Sequence, residues 1–217
     1  MISNLPHSIK MDISPFAYVD PYYHIQASWA VGQFYEQEML TYIAANYHGG
    51  NFIDIGASVG NHTVFMAGLC AVKAVYAFEP VKQPFDKLQA NVALNGLSGL
   101  VRAYNCALGS ARKIGDMYMP SNGNEGMWRW TEDIKGSVQM NTLDSYGIQD
   151  VTLIKIDAEH CEPDIILGGM ETIERSRPVI FVEADDKDLQ FILHSLKDCH
   201  YVVGRCFNET ATYELRC

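Results

Sequence analysis

The sequence predicts an α/β domain, built on a mostly parallel sheet with helices on both faces. Three observations carry that reading. Candidate strands and helices alternate from residue 50 onward. Strands such as Ala74–Phe78 and Val179–Val182 are apolar at every position, as expected of strands buried on both faces. The chain has 217 residues, 48% of them apolar and 19% charged, which suits one globular domain with a sizeable core.

The elements follow in order. Residues 1–28 are punctuated by Pro6, Pro15 and Pro21, with Phe16, Tyr18, Tyr22 and Tyr23 before Trp29. They read as an extended arm whose aromatics, notably Tyr22, Tyr23 and Trp29, suit a lid over a flat ligand. From Gly32 to Tyr47 apolar residues recur at helical spacing (Phe34, Met39, Tyr42, Ile43), and Gly49-Gly50 is a helix stop. Arm and helix together form an N-terminal unit over 1–49, ahead of a main domain over 50–217. In that domain Asn51–Ile55 reads as strand, Thr63–Cys70 as helix, Ala74–Phe78 as strand, Phe85–Leu94 as helix and Val101–Leu108 as strand. Residues 112–140 lack a clear period and hold Gly115, Gly123, Gly126 and Gly136, so they read as an irregular insertion of hairpin or loop. Val151–Ile156 is strand, Ile165–Ile173 helix, Val179–Val182 strand and Leu189–Leu196 helix. Tyr201–Val203 and Thr212–Leu215 close the domain as an antiparallel hairpin.

Charge narrows the function. Lys and Arg number 16 against 26 Asp and Glu, a formal net charge of -10, and no basic cluster exceeds Arg112-Lys113. Nucleic acid is therefore not the expected partner. The longest uncharged apolar stretch, between Asn61 and Lys73, falls short of the roughly 20 residues of a membrane span. The start MISNLPHSIKMD lacks the basic and apolar regions of a signal peptide, and the six cysteines include no C-x-x-C pair. A reduced, cytoplasmic protein is the expectation.

Three motifs carry chemistry. Asp54-Ile55-Gly56-Ala57-Ser58-Val59-Gly60 ends the first strand. Gly56 would permit a tight turn and Gly60 a close backbone approach, and the next helix would offer free N–H groups to an anion. Asp54 would add a carboxylate facing the same crevice. A tight strand-to-helix turn would explain the glycines alone; glycines and acid together favour a ligand. The spacing is G-x-x-x-G, not the G-x-G-x-x-G of dinucleotide binders, which counts against the rival reading of an NAD-dependent oxidoreductase. Glu79 ends the second strand in Tyr76-Ala77-Phe78-Glu79-Pro80, where an acid can accept from both ribose hydroxyls, or simply favour a helix start. Asp157, Glu159, His160 and Glu162 gather where the fourth main strand ends and a helix begins, with Pro163 suited to its first turn. Asp157 leaves a buried strand, so it is assigned to positioning. Glu159 is the candidate base, with His160 second because its pKa lies near neutrality.

With these residues stand Asn61-His62-Thr63, Asn91-Val92-Ala93-Leu94-Asn95, Ala107-Leu108 and Thr142-Leu143-Asp144. The ordered set, from about Gly50 to Asp185, resembles the FkbM family of S-adenosylmethionine-dependent methyltransferases. The resemblance implies a Rossmann-like class I methyltransferase fold, a seven-stranded sheet of order 3-2-1-4-5-7-6 whose last strand is antiparallel. It also implies methylation of oxygen, on a sugar or other small molecule. By the same resemblance Asp54, Gly56, Ala57 and Gly60 would hold the methionine end of S-adenosyl-L-methionine. Asn61, His62 and Thr63 would cap the helix beside its carboxylate, Glu79 would hold the ribose, and Asn105 to Ala107 would flank the adenine. Asp157 and Glu159 would face methyl group and acceptor. His160 stands where the family usually has Gly, which places a side chain near the acceptor. No metal ligand set is expected, although a divalent cation on the same carboxylates is an alternative to a base. A binding module without turnover is a further alternative.

Other features fit plainer roles. Met117, Met119, Met127 and Met140 suit irregular packing. Trp128-Arg129-Trp130 fits either stacking on a substrate ring or an anchored loop. Asp185, Asp186 and Asp188 fit a capped helix start, His194 and His200 fall in or just past the last helix, and Cys161 lacks a cationic neighbour.

Overall fold

Seven strands form the central sheet, and helices cover it, in the computed structural model, which describes residues 9–12, 23–118, 128–208 and 210–217. Helices α1 (Tyr23–Ala30) and α2 (Gln37–Asn46) precede β1 (Asn51–Ile55), α3 (Asn61–Leu69), β2 (Ala74–Phe78), α4 (Lys82–Leu94) and β3 (Val101–Tyr104). A smaller group follows: β4 (Ala107–Leu108), β5 (Lys113–Tyr118), β6 (Arg129–Glu132) and β7 (Val138–Asn141). The chain returns through β8 (Val151–Ile156), α5 (Glu162–Leu167), α6 (Met170–Ser176), β9 (Val179–Glu183), α7 (Asp186–Ser195), β10 (Val202–Phe207) and β11 (Thr212–Arg216).

The large sheet has the order β10-β11-β9-β8-β1-β2-β3. Strands β9, β8, β1, β2 and β3 run parallel, and β11 is antiparallel to both β9 and β10. This is the expected 3-2-1-4-5-7-6 arrangement with an antiparallel last strand, the class I methyltransferase architecture. The apolar runs are explained by burial on two faces. Ile53, Ile55, Ile154, Ile156 and Ile180 share one core with Ile165, Ile173 and Ile192 of α5, α6 and α7. Phe52, Val75, Leu153 and Phe181 share the other with Leu40, Phe65 and Leu88 of α2, α3 and α4. Among the described residues no helix is long and apolar enough to cross a membrane.

The structure departs from the sequence expectations at several elements. Residues 23–30 are helical, not extended, because Ile25 and Trp29, four apart, share a buried face in a small cluster with Val59. Val101–Leu108 is two strands in two sheets. The break falls at Asn105, whose side-chain amide donates to the carbonyls of Glu79 (2.9 Å) and Pro80 (3.0 Å). The helix expected over Ile165–Ile173 is two helices, parted at Gly168-Gly169; a Cβ on Gly168 would stand 2.0 Å from the carbonyl oxygen of Gly109. Residues 113–141 contribute three strands to a four-stranded sheet of order β4-β7-β5-β6. The capped start of α7 is as expected: Asp185 accepts from the Asp188 N–H at 2.8 Å. Pro6, Pro15, Phe16, Tyr18, Pro21, Tyr22, the Tyr23 side chain, Met119, Gly123, Gly126 and Met127 lie outside the described residues.

Candidate active site

A cavity of about 350 Å³ opens over the carboxyl ends of β1, β2, β8 and β9, where parallel α/β sheets place ligands. Two chain crossings make its floor. Gly56 (φ 75°) turns the chain after β1, and a Cβ there would sit 1.7 Å from the carbonyl oxygen of Asp157. Its N–H and that of Ala57 both donate to the Phe78 carbonyl at 3.0 Å. Gly60 (φ 93°) has a different reason to be glycine: its Cβ would meet Leu88 Cδ1 of α4 at 2.8 Å. The close approach expected there is to protein rather than to ligand.

Asp54 also departs from expectation. Neighbours Ile53 and Ile55 point to one face of the sheet, so Asp54 points to the other, under α3. It is 0% exposed and does not line the cavity. Its Oδ2 accepts from Thr63 Oγ1 at 2.5 Å, and its Oδ1 lies 3.5 Å from Lys155 Nζ with no hydrogen-bond donor. Lys155, 2% exposed, reaches Asp157 Oδ2 at 3.3 Å and donates to the Gly56 carbonyl at 3.2 Å. Burial opposes its charge, but Asp157, Asp54 and Glu36 outweigh burial and hold the ammonium above its usual range. One buried cation thus ties β1, the Gly56 turn and the end of β8 together.

Asn61, His62 and Thr63 do not cap α3. The N-cap is Gly60, without a side-chain bond, because all three side chains have buried partners. Asn61 accepts from Trp29 Nε1 (2.8 Å) and the Tyr35 N–H (3.0 Å) and donates to the Tyr35 carbonyl (3.0 Å). His62 Nε2 lies 2.8 Å from Glu36 Oε2. These contacts seat the segment before α2 against the site, so His24, Ile25, Tyr35 and Glu36 all line the cavity. Trp29 anchors that segment and is not a cavity wall.

Glu79 is 6% exposed and lines the cavity. Its Oε2 accepts from the Ser58 N–H (2.9 Å) and its Oε1 from the Val81 N–H (2.8 Å), and each oxygen keeps a lone pair. Burial, only partly offset by those bonds, pushes the carboxyl up to about 7. Beside it stand Cys106, Ala107 and Leu108, while Asn105 braces the Glu79 carbonyl from outside. Asp157 and Glu159 line the opposite wall. Burial, Asp157 and Glu162 push Glu159 up to about 7; burial, Asp157 and Glu36 push Glu183 up to about 8. His160 (φ 73°) turns away into a neighbouring hollow that shares Glu159 and Glu183 with the cavity. The backbone is left-handed at both Glu159 and His160, and of the two only Glu159 lines the cavity itself. Met117 and Trp130 from the smaller sheet, with Trp128 just before β6, close the cavity, so the two tryptophans of Trp128-Arg129-Trp130 are wall where the segment enters a strand.

Two buried polar atoms on the cavity wall have no partner: Ser58 Oγ and Trp130 Nε1. Among the described residues no three His, Cys, Asp or Glu side chains gather as a metal-binding group.

The profile of the Methyltransferase FkbM domain matches residues 54–203, from the β1 carboxylate into β10. The chain belongs to the FkbM methyltransferase family. Similar relatives include "2-O-methyltransferase NoeI" of Sinorhizobium fredii, 25% identical over 162 residues, which cover 63% of this chain and 64% of that protein. "Methyltransferase 1" of Beauveria bassiana is 26% identical over 165 residues, covering 74% and 64%. The solved methyltransferase FkbM from Methylobacillus flagellatus superposes with a TM-score of 0.58 at 18% identity, over 78% of this chain and 44% of that one. The chain therefore spans less than two thirds of the length of each.

Four site residues of this FkbM chain escaped the sequence reading: Tyr35, Glu36, Lys155 and Glu183. Lys155 had a signal, since it is the one charge in the strand Val-Thr-Leu-Ile-Lys-Ile, and a lysine in a central strand must be paired. Glu183 ends an apolar strand as Glu79 follows one. Glu36 had no signal, because its place depends on how the N-terminal segment docks.

Proposed function

We propose that this FkbM-family chain is an S-adenosylmethionine-dependent methyltransferase acting on a hydroxyl oxygen of a sugar or other small molecule. The observation that carries the reading is the charge of the cavity. Glu36, Glu79, Asp157, Glu159 and Glu183 face it, and its described lining contains no Lys or Arg. Such a field suits a sulfonium cation and opposes a pyrophosphate. The unpartnered Ser58 hydroxyl and the spare lone pairs of Glu79 are polar groups fit for a nucleoside.

When bound, S-adenosylmethionine supplies an electrophilic methyl group on a positively charged sulfur. Glu79 would accept from the ribose hydroxyls, and Phe78, Cys106, Ala107 and Leu108 would cover the base. Asp157, fixed by Lys155, would keep a carboxylate at the reacting end. Methyl displacement needs donor, carbon and acceptor in line, so positioning does most of the catalysis. Glu159 would accept the acceptor's proton, since a base with pKa about 7 is matched to neutral pH. Trp128, Trp130 and Met117 would face the acceptor, the Trp130 N–H meeting an oxygen.

The test is methyl transfer from isotope-labelled S-adenosylmethionine to a panel of sugars and small alcohols, with deoxy counterparts as controls. The reading expects label in an ether on at least one hydroxylated acceptor and none on its deoxy counterpart. Label found on nitrogen or carbon instead, or nicotinamide reduction with the same acceptors, would overturn it.

A further inference from the structure

Glu36 is placed with more care than its helix needs. It occupies the N-cap position of α2 yet makes no side-chain cap bond, so its carboxylate does nothing for its own helix. Its backbone is left-handed (φ 57°), a conformation unfavourable for a non-glycine residue, and it persists because its surroundings impose it. Asn61 grips the preceding residue through both Tyr35 backbone groups, and the Phe34 N–H donates to Gln37 Oε1 at 3.0 Å. The carboxylate is buried, 2.8 Å from His62, and lines the cavity beside Gly56.

The neighbouring groups narrow the ligand's chemistry. Asp157 is already balanced by Lys155 at 3.3 Å. Burial leaves Glu79, Glu159 and Glu183 partly protonated near neutrality, at about 7, 7 and 8. Glu36 differs: burial would raise it, but the hydrogen bond and charge of His62, with Lys155, hold it below the usual carboxylate range. Its Oε2 is taken by His62, while its Oε1 makes no hydrogen bond among the described residues and is left for a ligand in the cavity. Its charge acts on Glu183 at the end of β9, three strands across the sheet from β2, after which Glu79 marks the nucleoside end.

We propose that Glu36 is a binding residue that receives the ammonium of an amino-acid moiety, the end of S-adenosylmethionine remote from its adenosine. This rests on the cofactor reading above. A charge-assisted bond to the Glu36 carboxylate would fix that end, while His62 and Asn61 hold Glu36 in place.

The experiment is calorimetric titration of the wild type and Glu36→Gln with S-adenosylhomocysteine, with its deaminated analogue, and with 5′-methylthioadenosine, which lacks the amino-acid moiety. The glutamine keeps size and a hydrogen bond to His62, and a circular-dichroism melt checks the fold. Glu36→Gln is expected to weaken S-adenosylhomocysteine by about tenfold or more, as loss of a charged hydrogen bond implies. 5′-Methylthioadenosine should be unaffected, and the variant should bind S-adenosylhomocysteine and its deaminated analogue alike. Equal losses for all three ligands, or unchanged S-adenosylhomocysteine affinity, would overturn the assignment. A wild type that binds none of them would overturn the cofactor reading itself, and Glu36 with it.

Discussion

Gly56, Glu79 and Glu159 show how single residues set the site. At Gly56 a methyl group would overlap the Asp157 carbonyl, so Gly56→Ala must part the two turns that floor the cavity. Left-handed strain and overpacking together should cost about 2–5 kcal/mol, read as a lower denaturant midpoint. Glu79→Ala is expected to weaken S-adenosylhomocysteine by about 10–100-fold, the worth of charge-assisted ribose bonds, in the same titrations. Unchanged affinity would place the ribose elsewhere. Glu159→Gln should keep cofactor affinity and lower turnover at least about a hundredfold, with no rescue by magnesium. If His160→Ala gives the large loss instead, the base is reached from the neighbouring hollow. At this scale the sequence disclosed residue types better than their directions. Glu79 and Asp157 line the cavity as strand ends should. Asp54 does not, because the strand's alternation turns it under α3 towards Lys155, a pairing that only the neighbouring strand supplies.

Among the elements, β11 carries a second buried carboxylate with a structural task. Glu214, 0% exposed, accepts from Tyr42 at 3.0 Å, from Tyr47, and from the Arg205 N–H at 3.0 Å, so it ties the α2 region to the β10–β11 hairpin. Burial would raise it, but the bonds from Tyr47, Arg205 and Tyr42 hold it below the usual range. Its contribution is therefore present at neutral pH and lost as pH falls through the acid range. Glu214→Ala would strand two tyrosine hydroxyls, and the melting temperature should fall by about 4 °C or more at pH 7. An unchanged melt would mean that α2 is seated by its apolar face alone. The parallel strands were legible because burial on both faces writes an uninterrupted apolar run. The breaks at Asn105 and Gly168 were not, since each answers a contact made by distant chain: the Glu79 and Pro80 carbonyls in one case, Gly109 in the other. The helix at 23–30 was hidden for the same reason, because its buried face meets Val59, over 25 positions away.

For the whole molecule, the cavity gathers carboxyls of which several resist ionisation. Glu79, Glu159 and Glu183 are each raised from 4.5, to about 7, 7 and 8. Groups raised in the folded state favour folding below their unfolded pKa and lose that contribution as pH rises through the folded value. The protein without ligand is thus expected to melt lower at pH 8.5 than at pH 5.5, and a cationic ligand should narrow the gap. The most direct measurement of the central claim, that this cavity holds a sulfonium nucleoside, is calorimetric titration with S-adenosylmethionine, repeated in the presence of excess NAD. One-to-one binding in the micromolar range, untouched by NAD, is the expected result. Displacement by NAD, or no heat from S-adenosylmethionine at all, would contradict it.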